Sequence, residues 1–86
     1  YTTLFRSNST VLYHESTFLD SHYELAKKTK HSTAKEAAQI AKQANVEMLI
    51  LGHFSCRYNN IEEFKSEAKL VFNNVELSKD GKIFNF

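Results

Sequence analysis

Apolar residues change their period several times along this chain, and each change predicts an element. Thr10 to His14, TVLYH, is a short β-branched and aromatic run of the kind that forms a buried strand, and it ends in the polar groups His14, Glu15, Ser16 and Thr17. The pattern then turns helical. Ser21-x-x-Glu24 matches a capping box ahead of HYELAKK, which suits a short helix to about Lys28, and Thr33-Ala34-Lys35-Glu36 is a second box. Behind it Ala37, Ile40, Ala41 and Ala44 recur on one helical face, and Asn45 suits a left-handed stop. A second strand, Glu47 to Leu51, carries the unbroken apolar run Met48 to Leu51 and stops at Gly52, followed by His53, Phe54, Ser55, Cys56 and Arg57.

Asn60-x-x-Glu63 predicts the start of a third helix, with Ile61, Phe64, Ala68, Val71 and Phe72 as its core stripe. Val75 to Ser78 and Lys82 to Phe86 flank Asp80-Gly81, a strong hairpin signal because both turn residues tolerate positive φ. Tyr1 to Ser9 is polar and without period, and reads as a loop or a poorly ordered lead-in. A strand, helices and a second strand make a crossover unit, expected to be right-handed if the strands are parallel neighbours, with both polar strand ends facing one way. In open α/β sheets the crevice beyond those ends is the usual place for a site.

Eighty-six residues bound this to one small domain with a thin core, so a larger parent is the leading expectation, and the chain opens at Tyr1 without an initiating Met. Eleven Lys plus Arg against ten Asp plus Glu give no global charge for nucleic acid or a membrane surface; any polyanion contact must be local. The single Cys56 excludes an internal disulfide, there is no zinc-finger spacing, and no run approaches the length of a membrane span or a signal peptide. A soluble, reducing, cytoplasmic setting is expected. The triplet Asn8-Ser9-Thr10 is a glycosylation sequon of a kind that often arises by chance.

The chemistry lies at element ends. His14 with Glu15, His31 with Ser32 and Thr33, and His53 are too far apart in sequence for a local metal motif, so any convergence has to come from the fold. A carboxylate accepting from an imidazole orients it and raises its pKa, which prepares a general acid, while a neutral His at a strand end also suits zinc. Bland roles stand beside these. Buried histidines commonly satisfy neighbouring backbone groups, Ser32 and Thr33 suit a helix start, and Arg57 can clamp a phosphate or pair with Glu62 or Glu63. Cys56 reads as a small buried hydrophobe, the lysines between 27 and 35 as a solvated face, and His22 as surface decoration.

Three segments change the weights: HEST (His14 to Thr17), HSTAKEAA (His31 to Ala38) and GHFSCRY (Gly52 to Tyr58). In this order and at these separations they resemble the carboxyl-terminal part of ribonuclease Z, the tRNA 3′-processing endoribonuclease of the metallo-β-lactamase fold. The resemblance runs from about Val11 to the terminal hairpin. It implies an α/β fold, the carboxyl-terminal half of a metallo-β-lactamase-type αββα sandwich in βααβαββ order, with residues 10–86 as a single partial domain. It implies that Glu15 and His31 form the pair that passes a proton to the leaving oxygen, that His53 ligates zinc, and that Arg57 lies toward the substrate phosphate. His14, Ser32, Thr33 and Ser55 would be structural neighbours of the site.

The implied reaction is a two-zinc hydrolysis that removes the 3′ trailer from precursor tRNA, in a homodimeric, cytoplasmic parent with no membrane partner. Ser16 stands where the family usually has Ala, and Gly52 where Thr is common. The His-x-His-x-Asp-His zinc motif, a further histidine ligand and the metal-bridging aspartate are absent from these residues. The chain alone is therefore expected neither to hold zinc tightly nor to cut RNA, and to expose a sheet edge and an apolar face that favour association. The alternatives are another zinc phosphodiesterase of the superfamily, or a non-catalytic interaction module.

Overall fold

Two parallel crossovers build the sheet that positions the polar strand ends. The computed structural model describes residues 2–6 and 9–78, with side chains from residue 10 onward. The strands are β1 (Thr2–Arg6), β2 (Ser9–Glu15), β3 (Met48–Gly52) and β4 (Val75–Leu77), lying side by side in that order. β1 pairs antiparallel with β2, and β2, β3 and β4 run parallel. A 3₁₀ turn (Asp20–His22), α1 (Tyr23–Lys28) and α2 (Ala34–Ala44) connect β2 to β3, and α3 (Glu62–Lys69) connects β3 to β4. Parallel neighbours need such crossovers, and helical periodicity between two apolar runs supplies them.

The core lies between the sheet and α2 and α3. Leu12, Leu49 and Val75 stand level across three strands, Leu51 follows two residues on, and all four are buried. Each fully buried leucine contributes about 1.5–3 kcal/mol relative to exposure. Against this face α2 sets Ala34, Ala37, Ala38 and Ala41, whose small side chains let the helix come close, and α3 adds Phe64 and Ala68. Ile61, Val71 and Phe72 pack on the same cluster, so the predicted stripe of the third helix is present, although the helix itself ends at Lys69.

The second capping box forms as the sequence indicates. Thr33 Oγ1 accepts the Glu36 N–H at 3.1 Å, and the Glu36 carboxylate accepts the Thr33 N–H at 2.9 Å. Asn45 is left-handed, with φ 57°, and the N–H groups of Asn45 and Val46 bind the carbonyls of Lys42 and Ala41. α1 ends in the same way with Lys30 at φ 61°, its N–H on Lys27 O and that of His31 on Ala26 O.

Several sequence expectations need correction. No side-chain cap forms from Ser21 and Glu24, because the 3₁₀ turn moves the start of α1 to Tyr23. The N–H of Asp20 is satisfied instead by the Glu67 carboxylate from α3, at 3.0 and 3.1 Å. The stretch read as a loop contains β1, which is held by pairing with β2 rather than by any period of its own. Asn60 does precede the third helix, accepting the Glu62 N–H at 3.1 Å, while the last turn before α3 centres on Ile61. The hairpin expected at Asp80-Gly81 lies outside the described residues.

Candidate active site

The ends of β2 and β3 are brought level by their register. Glu15 stands opposite Gly52, and the Ser16 N–H binds the Gly52 carbonyl at 2.9 Å. At Gly52 a Cβ would lie 2.0 Å from Tyr13 Oη and 2.7 Å from its Cζ, so the end of the tyrosine side chain occupies the space beside the glycine and would have to move for a larger residue.

Past Glu15 the chain is clamped on two sides. On one side the Phe18 N–H binds Ser32 O at 3.3 Å and the Ala34 N–H binds Phe18 O at 3.0 Å; on the other the Ser55 N–H binds Thr17 O at 3.0 Å. These backbone bonds carry His31 and His53, from the far ends of α1 and β3, to the same place. His53 sits there with φ 59°, a left-handed conformation that non-glycine residues rarely adopt and that is found at functional positions more than elsewhere.

Glu15, His31 and His53 accordingly converge, with candidate donor atoms within 4.8 Å of one another. The imidazoles of His31 and His53 stack at 5.4 Å. At the centre is a residue the sequence reading did not single out. The Thr17 hydroxyl, on a buried side chain, lies 2.7 Å from Glu15 Oε2, 3.0 Å from His53 Nδ1 and 3.2 Å from His31 Nδ1. Thr17 is visible in sequence only as one of several polar groups after a strand.

Burial acts to raise the Glu15 pKa, but the Thr17 hydroxyl, the Ser32 N–H and side chain, and the Thr17 N–H together outweigh it and hold the carboxyl below its ordinary 4.5. The Ser32 N–H reaches Glu15 Oε1 at 2.6 Å, and His31 Nδ1 lies 3.5 Å from Oε2. A depressed folded value means the stabilisation from this carboxylate is complete above about 4.5 and lost as pH falls through the lower folded value. Acid unfolding of Glu15→Gln, followed by circular dichroism, is expected to show a weaker pH dependence below about 4.5 than the unsubstituted protein; an identical dependence would contradict this linkage.

The remaining residues singled out in sequence separate into two groups. Arg57 reaches the edge of the site, its guanidinium 5.6 Å from the centroid of Phe18, a ring that also neighbours those of His31 at 6.1 Å and His22 at 6.5 Å. Ser55 supports this loop, its Oγ accepting the Arg57 N–H at 3.3 Å. Ser32 holds Glu15. Thr33 is engaged in capping α2, with its hydroxyl also 3.4 Å from Asp20 Oδ1, and His14 is buried with Nδ1–H donating to Glu15 O at 2.7 Å. His22 is more than decoration: its Nδ1 lies 2.6 Å from the Tyr58 hydroxyl, which also accepts the Leu19 N–H. Cys56, expected to be buried, is exposed.

Ser16 Oγ is fully buried and finds no partner among the described residues. An orphaned hydroxyl carries its desolvation cost uncompensated, so Ser16→Ala is expected to stabilise the fold by about 1 kcal/mol. Urea unfolding checks this; a destabilised variant would show that the hydroxyl is satisfied in solution.

A metal fits this donor set only in part. Both Glu15 oxygens are engaged by N–H and O–H donors, and both Nδ1 atoms face Thr17, leaving the Nε2 atoms as the groups able to ligate. Among the described residues no helix is long and apolar enough to cross a membrane.

The parallel crossovers, with histidines and a carboxylate at their strand ends, belong to a backbone shared with a solved metallo-β-lactamase-fold structure, which sets the fold class. The metallo-β-lactamase fold protein YhfI from Bacillus subtilis matches with a TM-score of 0.68 and 27% identity, over 87% of this chain and 30% of that one. The family is narrower than the fold. Ribonuclease Z of Protochlamydia amoebophila is 49% identical over 79 residues, 92% of this chain and 26% of its own length. That of Cytophaga hutchinsonii is 51% identical over 74 residues, 86% of this chain and 24% of its own. Over the matched residues the chain is similar to these ribonuclease Z proteins, and it spans about a quarter of their length. No protein-family model matches it.

Proposed function

We propose that this chain is the carboxyl-terminal part of an endoribonuclease that removes the 3′ trailer from precursor tRNA by zinc-dependent phosphodiester hydrolysis. The observation that carries this reading is the convergence of Glu15, His31 and His53, from three separate segments, at one strand-end site. The resemblance of their three motifs to those of ribonuclease Z supports different tasks for them.

His53 would supply one zinc ligand through Nε2, the other donors coming from outside these residues. Zinc, when bound, supplies Lewis acidity toward the phosphoryl oxygens and a nucleophile at neutral pH. His31 carries the proton. Its Nδ1 is occupied by Thr17 and Glu15, so its Nε2 first takes up a proton from solvent, giving the imidazolium, and then delivers it to the leaving 3′ oxygen as the P–O bond breaks, returning to the neutral Nδ1–H ring. The Glu15 carboxylate, kept ionised by its hydrogen bonds, lies 3.5 Å from His31 Nδ1 and helps to orient that ring. Arg57, at the rim beside Phe18, binds a substrate phosphate.

With His53 alone in the ligand role this chain cannot assemble two metals, so by itself it is expected to bind zinc weakly and to leave RNA intact. The test of the whole reading uses the full-length protein that contains this chain, loaded with zinc and given labelled precursor tRNA. A single cut at the tRNA 3′ boundary is expected. Intact precursor alongside hydrolysis of a small phosphodiester would overturn the substrate assignment and leave another hydrolase of the superfamily.

A further inference from the structure

We propose that the Thr17 hydroxyl sets the tautomer of both site histidines, holding His31 and His53 as Nδ1–H imidazoles so that Nε2 of each carries the free lone pair. The argument is one of valence. A threonine hydroxyl has one proton and two lone pairs, and here it meets three partners: Glu15 Oε2 at 2.7 Å, His53 Nδ1 at 3.0 Å and His31 Nδ1 at 3.2 Å.

Glu15 can only accept when ionised, and its other contacts, from the N–H groups of Thr17 and Ser32, are those of an ionised carboxylate. The single Thr17 proton therefore goes to Oε2, the shortest of the three contacts. If it went to either ring instead, two acceptor oxygens would face each other at 2.7 Å with no proton between them. The two lone pairs of Oγ1 remain, and each ring must donate Nδ1–H to one of them. A histidine's tautomer is set by the bond its other nitrogen makes, so in the neutral rings both Nε2 atoms are unprotonated.

The backbone around Thr17 is built to keep this arrangement. Its carbonyl accepts the Ser55 N–H at 3.0 Å, closing the loop that carries His53, and its side chain is buried. The left-handed φ of 59° at His53 lies in the same short loop. Thr17 is thus a positioning residue that acts through two rings at once, where a carboxylate bonded to one ring would orient only that one.

This inference deepens the proposed function, which needs the Nε2 lone pair of His53 for a ligand bond and that of His31 to take up the proton it then hands on, yet its test involves neither RNA nor metal. The full-length protein, labelled with ring-¹⁵N histidine and stripped of metal, is observed by long-range ¹H–¹⁵N correlation at a pH roughly two units above the ordinary histidine pKa. For His31 and His53 the expected result is a protonated-type shift at Nδ1 and an unprotonated-type shift at Nε2. Thr17→Ser, which keeps the hydroxyl, should retain both patterns. Thr17→Val, which keeps the shape and loses the hydroxyl, should move both rings toward the averaged shifts of a free imidazole.

The His14 and His22 signals report whether the fold survives, and Thr17→Ala provides the same deletion should the valine variant not fold. A protonated Nε2 on either ring of the unsubstituted protein overturns the tautomer assignment. Unchanged patterns in a folded hydroxyl-free variant overturn the role of Thr17. Either failure leaves the tRNA-processing reading standing on its own assay.

Discussion

His31→Ala in the full-length, zinc-loaded protein is expected to slow precursor-tRNA cleavage by about 10²- to 10⁴-fold, the range for loss of a positioned general acid. Zinc content should stay at the unsubstituted level. The expectation rests on how the ring is held: Nδ1 lies 3.2 Å from Thr17 Oγ1 and 3.5 Å from Glu15 Oε2, and that carboxylate is fixed in turn by the Ser32 N–H at 2.6 Å. Such a ring is oriented by its neighbours, as a proton donor needs to be. Metal analysis alongside the kinetics separates the two roles a histidine can play here. A fall in zinc content parallel to the fall in rate would make His31 a ligand, and a rate within a few-fold of the unsubstituted enzyme would remove it from the chemistry. His53→Ala supplies the contrast, since it should lose metal and activity together.

A second large effect is expected on stability. Phe64 is fully buried in the cluster shared by α3 and the sheet, and truncation to alanine should lower the unfolding free energy by about 3–5 kcal/mol, through lost transfer energy and the cavity left behind. Phe64 also supports the loop after β3. The Phe54 ring packs on it at 4.7 Å and the Tyr58 ring at 5.0 Å, and the Tyr58 hydroxyl accepts the Leu19 N–H and meets His22. Guanidinium unfolding should show a lower midpoint at an unchanged slope. Leu70→Ala is the control, because Leu70 is 86% exposed and its loss should cost no more than about 0.5 kcal/mol. Equal costs for the two substitutions would refute this account of the core.

Where local chemistry decides structure, the chain was legible. The Thr33–Glu36 capping box closes within four residues, Asn45 accepts a left-handed stop because its short side chain tolerates it, and the alanine face of α2 follows from helical spacing. Where a distant partner decides, the same signals misled. Ser21 and Glu24 have the letters of a capping box, but the Glu67 carboxylate from α3 takes the Asp20 N–H and the turn before α1 is 3₁₀. β1 has no period to read because its strand state comes from pairing with β2. His22 resembles a surface residue until Tyr58, 36 residues later, is brought beside it.

The sequence by itself determined the alternation of strand and helix and placed Glu15 and His53 at strand ends; that β2 and β3 are parallel neighbours, so that those ends face one way, is seen in the sheet. It also carried the three motifs that resemble those of ribonuclease Z. Only the tertiary structure decided which of those groups meet: Glu15, His31 and His53 around Thr17, with Arg57 at the rim and His14 and Thr33 turned to backbone and helix cap. The reason is physical. Periodicity and capping are properties of adjacent residues, whereas a hydroxyl shared among three segments exists only after sheet register and backbone clamps have brought residues 14 and 36 positions apart within hydrogen-bonding distance.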